Sequence, residues 1–550
     1  MIIKRLISVA LAAAVALGAG AAVTGFTLPV IEVQAQETEE STHVELLAKC
    51  RGNYAYNDLG TRTNGAKMQQ FYEKLYDVYT AVWESDEDYT EYDGSSELFV
   101  VSKVNYKTLG LTDDEAITTY YAMRYDNPAM YYLINQYATN STYYFALINE
   151  EYTKASVRKE MQQAIYDYVT DMTAATAGYT RRYERALILH DKILPMMTYN
   201  YDDMRAVYSH NVIGAVYNRT GVCESYAKAY QMLLNYVGID NFLVIGTDLY
   251  SGGGHAWNAV KMDNGTYYYV DPTWDDKRDT HKYFAKGSTV FDADHAVREN
   301  ASGAGYYYTM PANIPTGDYS CQANNPTLYN QMSQFSFYIN EDNTVTLVSY
   351  LQNAQKVNLP TEILGFTVKA LGIDALFNKT ALTELVIPEG ITTIASGATF
   401  NTLFSSSAKK ITIPKSVTSI GDCAFGYIAG QSASGYQYTG DYSIFAPKKI
   451  SGFTIYCYKN SAGCKYAVDN GFDYVLLDAD EVEIIPGDAN GDGEVTVMDV
   501  LLIRQSLAGW SIEINELAAD VDANGVVNVL DVLLIRQSLA GWNVVLRTKA

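Results

Sequence analysis

Cysteine is scarce in this chain, with six residues among 550. Small secreted proteins held together by disulfides carry cysteine far more densely, so a disulfide scaffold is excluded. Cys457 and Cys464 are near each other in sequence and could form one bridge, but spacing alone fixes no geometry and the question stays open. An unbridged cysteine is most often a small buried packing residue, which is the starting interpretation for Cys223.

Positive charge is also scarce: 40 Lys and Arg residues stand against 63 Asp and Glu residues, for a formal net charge of −23. A surface this acidic repels phosphate backbones and anionic headgroups, so we expect no nucleic-acid partner. Long apolar runs are missing beyond the first residues, so we expect no membrane insertion of the mature protein.

The one long apolar segment, residues 6–22, follows the basic pair Lys4 and Arg5. Small residues at 33–35 suit cleavage by a signal peptidase. We therefore expect a signal peptide over residues 1–35 and a mature protein that is secreted, extracellular, and held at a cell surface only through a partner.

The length and the changes of pattern predict several domains. Apolar residues at helical spacing dominate the first region, helices followed by strand-like runs predict an α+β unit next, and a repeat region and a small duplicated domain follow. Segments rich in Pro, Asn and Gly indicate linkers. The predicted order is a helical N-terminal region at 36–150, the α+β unit at 151–310, a linker at 311–334, the repeats at 335–478, a linker at 479–486 and the duplicated domain at 487–545.

In the repeat region "ALTELVIPEGITTIASGATF" realigns with "AKKITIPKSVTSIGDCAF", so that Pro388 matches Pro414, and Pro360 has the same place in a looser copy. The period lies in the range of leucine-rich repeats. The segment resembles the leucine-rich repeats of bacterial surface proteins, which implies a short β-rich solenoid whose concave face is the usual contact surface. A spacer without a ligand is the open alternative.

The C-terminal domain contains two acidic loops, each followed by the same ten residues, at 501–510 and 533–542. Oxygen-bearing side chains stand at the first, third, fifth, ninth and twelfth places of each loop, with Gly493 or Gly525 where the loop must turn sharply. This pattern predicts two Ca²⁺ ions, with Glu494 and Val526 contributing backbone carbonyls. The predicted ligands are Asp488, Asn490, Asp492, Glu494, Thr496 and Asp499 in the first loop, and Asp520, Asp522, Asn524, Val526, Asn528 and Asp531 in the second.

Pro486 opposes a helix before the first loop, so the predicted unit is a loop followed by a helix, twice. Residues 487–543 resemble a type I dockerin, the module that binds the cohesin domains of a cellulosomal scaffold. The resemblance implies a small all-α calcium-binding domain, a cohesin partner and association with a cellulosome. The cohesin contacts that it implies are Val497, Met498, Arg504 and Gln505 in the first copy, and Val529, Leu530, Arg536 and Gln537 in the second. Because the two sets are nearly the same, either orientation on the cohesin is expected.

The stretch "RTGVCESYAKAYQMLLNYVG" places Cys223 at the start of an amphipathic helix that Gly238 is suited to end. The helix dipole and free N–H groups at this end stabilise a thiolate. This position favours a nucleophile over a packing residue.

Downstream, "SGGGHAWNAVKM" and "TYYYVDPTW" are joined by "DNG". If these three residues form a hairpin loop with Gly265 left-handed, Met262 faces Thr266 and the pairing puts His255 and Asp271 on one face as diagonal neighbours. A loop of two residues would place them on opposite faces. Taken alone, His255 is better explained as a hydrogen-bonded structural histidine, and only the three segments together favour catalysis.

Together the three residues predict a Cys-His-Asp triad: Asp271 fixes the tautomer of His255, which deprotonates Cys223 and later protonates a leaving amine. The motifs G-V-C-E-x-Y-A, H-A-W and V-D-P-T-W resemble the transglutaminase-like superfamily over about 181–283. The resemblance implies a papain/transglutaminase-like α+β core and acyl transfer through a thioester, without a cofactor for catalysis.

The function expected from these observations is a secreted, cellulosome-associated cysteine enzyme that cleaves or transfers acyl groups of peptide or amide bonds in a protein or peptide substrate. Hydrolysis is favoured over cross-linking because water is the abundant acceptor. A non-catalytic adhesion or structural component that binds through its repeats is the alternative. A part in plant polysaccharide degradation is a weaker one, since no paired-carboxylate motif supports it.

Overall fold

The computed structural model describes residues 39–90, 92–93, 98–276, 279–298, 314–382, 384–402, 409–432, 441–478 and 484–548. The signal peptide expected over 1–35 lies outside these ranges. Within them, no helix combines the length and the apolar character that a membrane span requires.

The N-terminal region contains four helices whose apolar residues face a shared core. The spacing of apolar residues correctly predicts the long third helix, which buries Met68, Phe71 and Leu75. The fourth helix begins with a capping box at Thr112 and ends before Pro128. The helices are α1 (Glu39–Lys49), α2 (Tyr54–Gly60), α3 (Gly65–Glu84) and α4 (Asp113–Asp126).

The same region also contains a four-stranded antiparallel sheet, so the prediction of a helical region over 36–150 is incomplete. The strands consist of short runs rich in β-branched and aromatic residues, such as "YYFALI", which suit a half-buried sheet. These runs are shorter than the helical patterns around them. The strands are β1 (Tyr92–Asp93), β2 (Leu98–Asn105), β3 (Ala138–Thr139) and β4 (Tyr143–Ile148), in the order β1-β2-β4-β3.

The central region has helices first and a sheet afterwards, which confirms the α+β prediction. Its sheet is antiparallel in the order β10-β7-β8-β9. The helices are α5 (Ala155–Ala174), α6 (Arg182–Ile193), α7 (Cys223–Tyr236), α8 (Pro272–Asp275) and α9 (Ser288–Phe291). The strands are β5 (Thr198–Tyr199), β6 (Thr220–Gly221), β7 (Asn241–Asp248), β8 (Gly254–Lys261), β9 (Tyr267–Val270) and β10 (His295–Val297).

The β8–β9 hairpin has the predicted register. Gly265 is left-handed with φ +78°, and the Met262 N–H donates to the Thr266 carbonyl at 3.0 Å. Pairing continues from Lys261 opposite Tyr267 to Asn258 opposite Val270. The strand ends there because the next residue is the N-cap of α8 and Pro272 occupies the first helical position.

Most side chains of helix α7 are buried. On one side it packs on β7 and β8. On the other it is bonded to the N-terminal region: the Gln231 amide donates to the Tyr125 carbonyl and the Asn235 amide to the Cys50 carbonyl, each at 2.9 Å. The N-terminal region therefore supports the helix that begins at Cys223.

The stretch 311–334 is not simply a linker, because its described part from residue 314 packs on the central region. The Ser288 N–H donates to the Pro315 carbonyl at 2.8 Å, and the Tyr319 ring stacks on Tyr183 at 5.1 Å. Helix α10 (Pro326–Met332) follows and buries Leu328. These isolated apolar residues hold the segment in place although its composition is typical of a linker.

The repeat region forms two parallel ladders, β12-β14-β16-β18 and β15-β17-β21-β22, after an antiparallel β11–β12 pair. Equivalent apolar residues stack along them, as in the series Leu385, Ile411 and Ile455. Cys457 and Cys464 are free thiols, so the bridge left open by the sequence is not formed. The strands are β11 (Phe335–Ile339), β12 (Val345–Tyr350), β13 (Glu362–Ile363), β14 (Phe366–Leu371), β15 (Glu384–Val386), β16 (Thr393–Ile394), β17 (Lys410–Thr412), β18 (Ser419–Ile420), β19 (Tyr427–Ile428), β20 (Lys448–Lys449), β21 (Thr454–Cys457) and β22 (Asp473–Leu476), with helix α11 (Ala462–Asn470) between the last two.

The C-terminal domain contains helices α12 (Val497–Leu507), α13 (Glu516–Ala519) and α14 (Val529–Leu539). Ile503 and Ile535, at equivalent positions of α12 and α14, meet in a shared core. The predicted unit, a loop followed by a helix, describes the first copy. The second copy differs, because the short helix α13 directly precedes its loop.

Candidate active site

Cys223 is the first residue of α7 and its thiol is partly exposed. The chain reaches it through β6, and the Val222 N–H donates to the Ser209 carbonyl at 3.1 Å. A side chain at Gly221 would lie 2.6 Å from Ser225 Cβ, so this approach requires glycine. The sequence thus places a reachable sulfur at the positive end of a buried helix.

His255 and Asp271 are brought together as the hairpin register requires. His255 Nε2 lies 2.7 Å from Asp271 Oδ2, and both side chains are buried. Asp271 Oδ1 accepts the N–H groups of Thr273 at 3.0 Å and Trp274 at 3.3 Å, so the carboxylate also caps α8. Since Nε2 is engaged with Asp271, Nδ1 is the nitrogen of His255 that remains for Cys223.

The electrostatics of this pair favour a charged imidazole. Burial lowers the pKa of His255, but the charge and hydrogen bond of Asp271, and then those of Cys223, raise it to about 10. Burial raises the pKa of Asp271, but the charges and hydrogen bonds of His255 and His295 hold it well below its ordinary value. The contribution of Cys223 to the pKa of His255 places its thiol beside that imidazole.

His295, which the sequence analysis did not single out, is a second histidine on the same carboxylate oxygen. Its Nε2 lies 3.2 Å from Asp271 Oδ2, and its Nδ1 lies 2.6 Å from Asp294 Oδ1. It is buried on β10, with its ring 5.3 Å from that of His255. The only sequence signal was an acidic residue directly before a histidine at the start of a short apolar run.

A separate buried cluster lies on α6 and the segment after α8. His190 Nδ1 is 2.8 Å from Asp191 Oδ1, His281 Nε2 is 3.0 Å from the same oxygen, and His190 Nε2 is 3.3 Å from Asp275 Oδ2. Burial lowers the pKa of His190, but Asp191 and Asp275 raise it to about 9. The ligand atoms of His190, Asp191 and His281 are close enough for a metal ion, yet each nitrogen facing Asp191 is already satisfied by a carboxylate oxygen.

Exposed aromatic side chains flank the two sides of the candidate site. Tyr201, 77% exposed, stands 4.7 Å from the Tyr199 ring on the side of the thiol. Tyr250, 78% exposed, stacks at 6.0 Å on Trp274, whose ring lies 5.3 Å from His255. A chain bound across the site would meet aromatic surface at both ends.

Glu224, the residue after Cys223, ties the start of α7 to the N-terminal region. Its carboxylate lies 3.0 Å from the Arg124 guanidinium, 2.7 Å from Lys228 Nζ and 3.2 Å from His210 Nδ1. Burial raises the pKa of Glu224, but Lys228 and Arg124, followed by the His210 hydrogen bond, hold it well below its ordinary value. This ionised, half-buried carboxylate fixes the helix end that carries the thiol.

The predicted calcium ligands form two closed loops. Asp488 accepts the N–H groups of Gly491 and Gly493 at 2.8 and 2.9 Å, so the loop wraps around its carboxylate. In the second loop, oxygens of Asp520, Asp522 and Asp531 lie within 4.8 Å of one another. Converging carboxylate oxygens of this kind fit a hard cation such as Ca²⁺.

The apolar residues among the predicted cohesin contacts are exposed to solvent in both copies of the repeat. Val497 is 78% and Val529 is 77% exposed, although valine is among the residue types that are most often buried. Met498 and Leu530 beside them are also exposed. Of the polar members of the set, Arg504 and Arg536 are exposed, and Gln505 and Gln537 are half-buried.

Three family models match separate stretches of the chain. The transglutaminase-like superfamily model matches 170–272, which includes Cys223, His255 and Asp271. The model of the BspA type leucine rich repeat region matches 339–431 and 370–455 in six copies, and the dockerin type I model matches 486–540. The chain contains a transglutaminase-like region, BspA-type leucine-rich repeats and a type I dockerin. The three resemblances seen in the sequence are thereby confirmed.

Solved structures with limited similarity include a TGase, at 16% identity over 25% of this chain and 43% of that one, with a TM-score of 0.19. A candidate cysteine protease from Cytophaga hutchinsonii matches at 17% identity over 20% and 37% of the two chains, with a TM-score of 0.18. A leucine-rich repeat protein from T. pallidum matches at 18% identity over 17% and 64%, with a TM-score of 0.14. The chain therefore spans less than two thirds of each. No curated protein matches the chain.

Proposed function

We propose that the transglutaminase-like region is a cysteine acyl-transfer enzyme that hydrolyses peptide or amide bonds of a protein or peptide substrate. The observation that carries the proposal is the contact of His255 Nε2 with Asp271 Oδ2 at 2.7 Å, beside a thiol at the first residue of a helix. Nucleophile, base and orienting carboxylate are thus in the order that thiol catalysis requires.

Before the first half-reaction Cys223 has given its proton to His255, and the Cys223 sulfur then forms a bond to the substrate's acyl carbon. The tetrahedral intermediate collapses to a thioester as the carbon–nitrogen bond breaks, and His255 gives its proton to the leaving amine. In the second half-reaction water loses a proton to His255 and attacks the thioester carbon. The carbon–sulfur bond then breaks, which yields the acid and leaves the Cys223 sulfur beside protonated His255, the pair that begins the next cycle.

The developing oxyanion needs donors that are fixed before the reaction begins. The first N–H groups of a helix have no acceptor within the helix, and that of Cys223 is one of them. We assign the Cys223 N–H as one oxyanion donor. The ionic contacts of Glu224 hold this turn of the helix in place.

The dockerin is proposed to bind two Ca²⁺ ions through the twelve predicted loop residues and to dock the enzyme on a cohesin of a cellulosomal scaffold. The ions would neutralise loop carboxylates and so organise the surface that carries Val497, Arg504 and their counterparts Val529 and Arg536. Export through the basic and apolar N-terminal segment is part of the same proposal, because a cohesin partner on a cell surface is extracellular. The parallel ladders support a short solenoid between enzyme and dockerin.

The test is incubation of the full chain with a peptide library, with and without an added primary amine, read by mass spectrometry. Hydrolysis predicts new carboxyl termini or deamidated side chains, formed without the amine and absent with Cys223→Ala. Incorporation of the amine in place of water would make cross-linking the activity. Products that persist with Cys223→Ala, or no products from any peptide, would contradict the proposal.

A further inference from the structure

The turn between β7 and β8 presents two large apolar side chains to solvent. Leu249 and Tyr250 are both exposed, although short connections between strands are usually built from polar residues and glycine. They stand in the stretch "DLYSGGG", which leads directly into the strand that carries His255. The exposed tyrosine therefore belongs to the turn next to the base of the proposed reaction.

Hydrogen bonds hold this turn, and with it Tyr250, in one position. The carboxylate of Asp248 accepts the Tyr250 backbone N–H and the Ser251 hydroxyl, each at 2.7 Å. The Leu249 N–H donates to the Asp294 carbonyl at 2.9 Å, which ties the turn to the segment before β10. Because the turn is already ordered, a ligand that binds to the tyrosine loses little affinity to the ordering of its site.

The Tyr250 ring continues an aromatic surface that begins beside His255. The half-buried Trp274 ring lies 5.3 Å from that of His255, and Tyr250 stacks on Trp274 at 6.0 Å with 29° between the ring planes. The buried rings of Tyr283 and His295 pack on Trp274 at 5.2 and 4.2 Å and keep it from turning away. Two consecutive rings thus extend from the imidazole to solvent.

The proposed reaction determines which part of a substrate meets these rings. His255 gives its proton to the leaving amine, so the amine lies next to the imidazole when the carbon–nitrogen bond breaks. The acyl part of the substrate is bonded to Cys223 at that moment. The segment that leaves with the amine therefore extends from His255 across Trp274 and Tyr250.

We propose that Trp274 and Tyr250 form a subsite for an aromatic or large aliphatic side chain on the first residue after the cleaved peptide bond. The proposal rests on the proposed function and narrows its substrate class to main-chain peptide bonds that precede such residues. A substrate ring that stacks on Tyr250 removes two apolar surfaces from water, whereas an alanine side chain covers little of the tyrosine. Tyr250 is then a specificity-determining residue that takes no part in making or breaking bonds.

The test compares two peptides that differ only in the residue after the cleaved bond, Phe in one and Ala in the other, on a sequence that the full chain cuts in the peptide library. We expect kcat/KM to be about tenfold higher for the Phe peptide, the effect of partly burying one aromatic ring. Tyr250→Ser should bring this ratio close to one. Tyr250→Phe should retain it, because a phenyl ring stacks as well as a phenol.

Tyr474→Ser is the matched control, since it removes an exposed tyrosine from β22 of the repeats and should leave the ratio unchanged. The ratio compares two substrates on one protein preparation, so any loss of folded protein cancels.

The proposal would be overturned, with the proposed function still standing, by a ratio near one in the unmodified protein or by a ratio that persists in Tyr250→Ser. A ratio that falls equally with Tyr474→Ser would overturn it too. Deamidated side chains as the sole products would do the same, because ammonia then leaves and no residue follows the broken bond. Products that persist with Cys223→Ala, or no product from any peptide, would instead contradict the proposed function and the subsite together.

Discussion

At the scale of single residues, Asp271 holds three partners with two oxygens. Oδ1 caps α8, and Oδ2 faces both His255 and His295. Because one carboxylate fixes the helix and both imidazoles, the orientation of His255 does not depend on its own rotamer preferences alone. A change at this residue is therefore expected to affect the chemistry far more than the fold.

Asp271→Asn should separate these two roles. Asparagine still caps a helix, but it cannot pair with the buried charge of His255, so the midpoint of thermal unfolding should fall while the protein stays folded at the assay temperature. Its amide cannot fix the required tautomer of His255, and acyl transfer should fall on the order of 10⁴-fold. The measurements are kcat/KM on a substrate from the peptide library and a melting curve. Loss of activity in proportion to unfolding would contradict this account.

The charge on His255 predicts a pH profile. Acylation needs a protonated His255 to deliver a proton to the leaving amine. Because the pKa of His255 is raised to about 10, the protonated form persists above neutral pH and is lost as the pH rises through that value. The rate of acylation should fall only in this alkaline range. A decline near pH 6.5, where a free imidazole titrates, would show that His255 is not paired as described.

The sequence predicted Cys223, His255 and Asp271 because each has a local context: a helix start, a glycine-flanked strand and a strand end. His295 has no such context. It is 24 positions from Asp271, and its role arises from the pairing of β10 with β7, which no local pattern predicts. The contacts of Glu224 with Arg124 join residues 100 positions apart and were missed for the same reason.

At the scale of elements, the close approach of β7, β8 and β10 depends on one glycine. A Cβ at Gly246 on β7 would lie 2.2 Å from Trp257 Cη2 and 2.4 Å from the Ala296 carbonyl oxygen. The missing side chain lets Trp257 on β8 reach across to His295 on β10. The glycine therefore shapes the pocket in which the second histidine lies.

Gly246→Ala should force these strands apart, since neither a buried indole nor a backbone carbonyl can move freely. We expect a loss of about 2 kcal/mol or more in the free energy of unfolding, as for other overpacked cores. Gly178→Ala is the matched control, because nothing lies within 4 Å of the added Cβ. Denaturant unfolding of the two variants measures the difference. Equal stability would show that the strands can adjust.

The sequence predicted helices correctly where apolar residues kept helical spacing over a long stretch, as in α3. It predicted the pairing of strands correctly where a turn fixed the register, as in the β8–β9 hairpin. The prediction was incomplete for β1–β4, whose short runs lie between helices and whose β2–β4 pair joins distant segments such as Asn105 and Tyr143. It also missed the packing of residues 314–334, since scattered anchors such as Tyr319 and Leu328 leave the composition of a linker unchanged.

At the scale of the whole molecule, the N-terminal region, the transglutaminase-like region and the repeats share one continuous hydrophobic core, whereas the dockerin has a core of its own. The predicted calcium ligands and the predicted triad therefore belong to regions with separate cores. We expect the two functions to respond separately to removal of metal.

Chelation of Ca²⁺ should abolish cohesin binding while alkylation of Cys223 continues at its normal rate. Without the ions, loop carboxylates such as Asp520 and Asp531 would repel each other and loosen the docking helices. Asp531→Ala should weaken calcium binding in the second loop alone. Binding to an immobilised cohesin by surface plasmon resonance, with and without chelator, is the measurement. Cohesin binding that survives complete removal of calcium would contradict the assignment of the loops.

The central claim is that Cys223 is a nucleophile activated by His255, and the rate of thiol alkylation tests it most directly. Three cysteines are partly exposed, and Cys423 and Cys464 serve as internal references for Cys223. Iodoacetamide at neutral pH, followed by peptide mapping, should label Cys223 much faster than the other two, and His255→Ala should remove this advantage. Labelling of Cys223 that is no faster than that of Cys423 and Cys464, and that is unchanged by His255→Ala, would contradict the account.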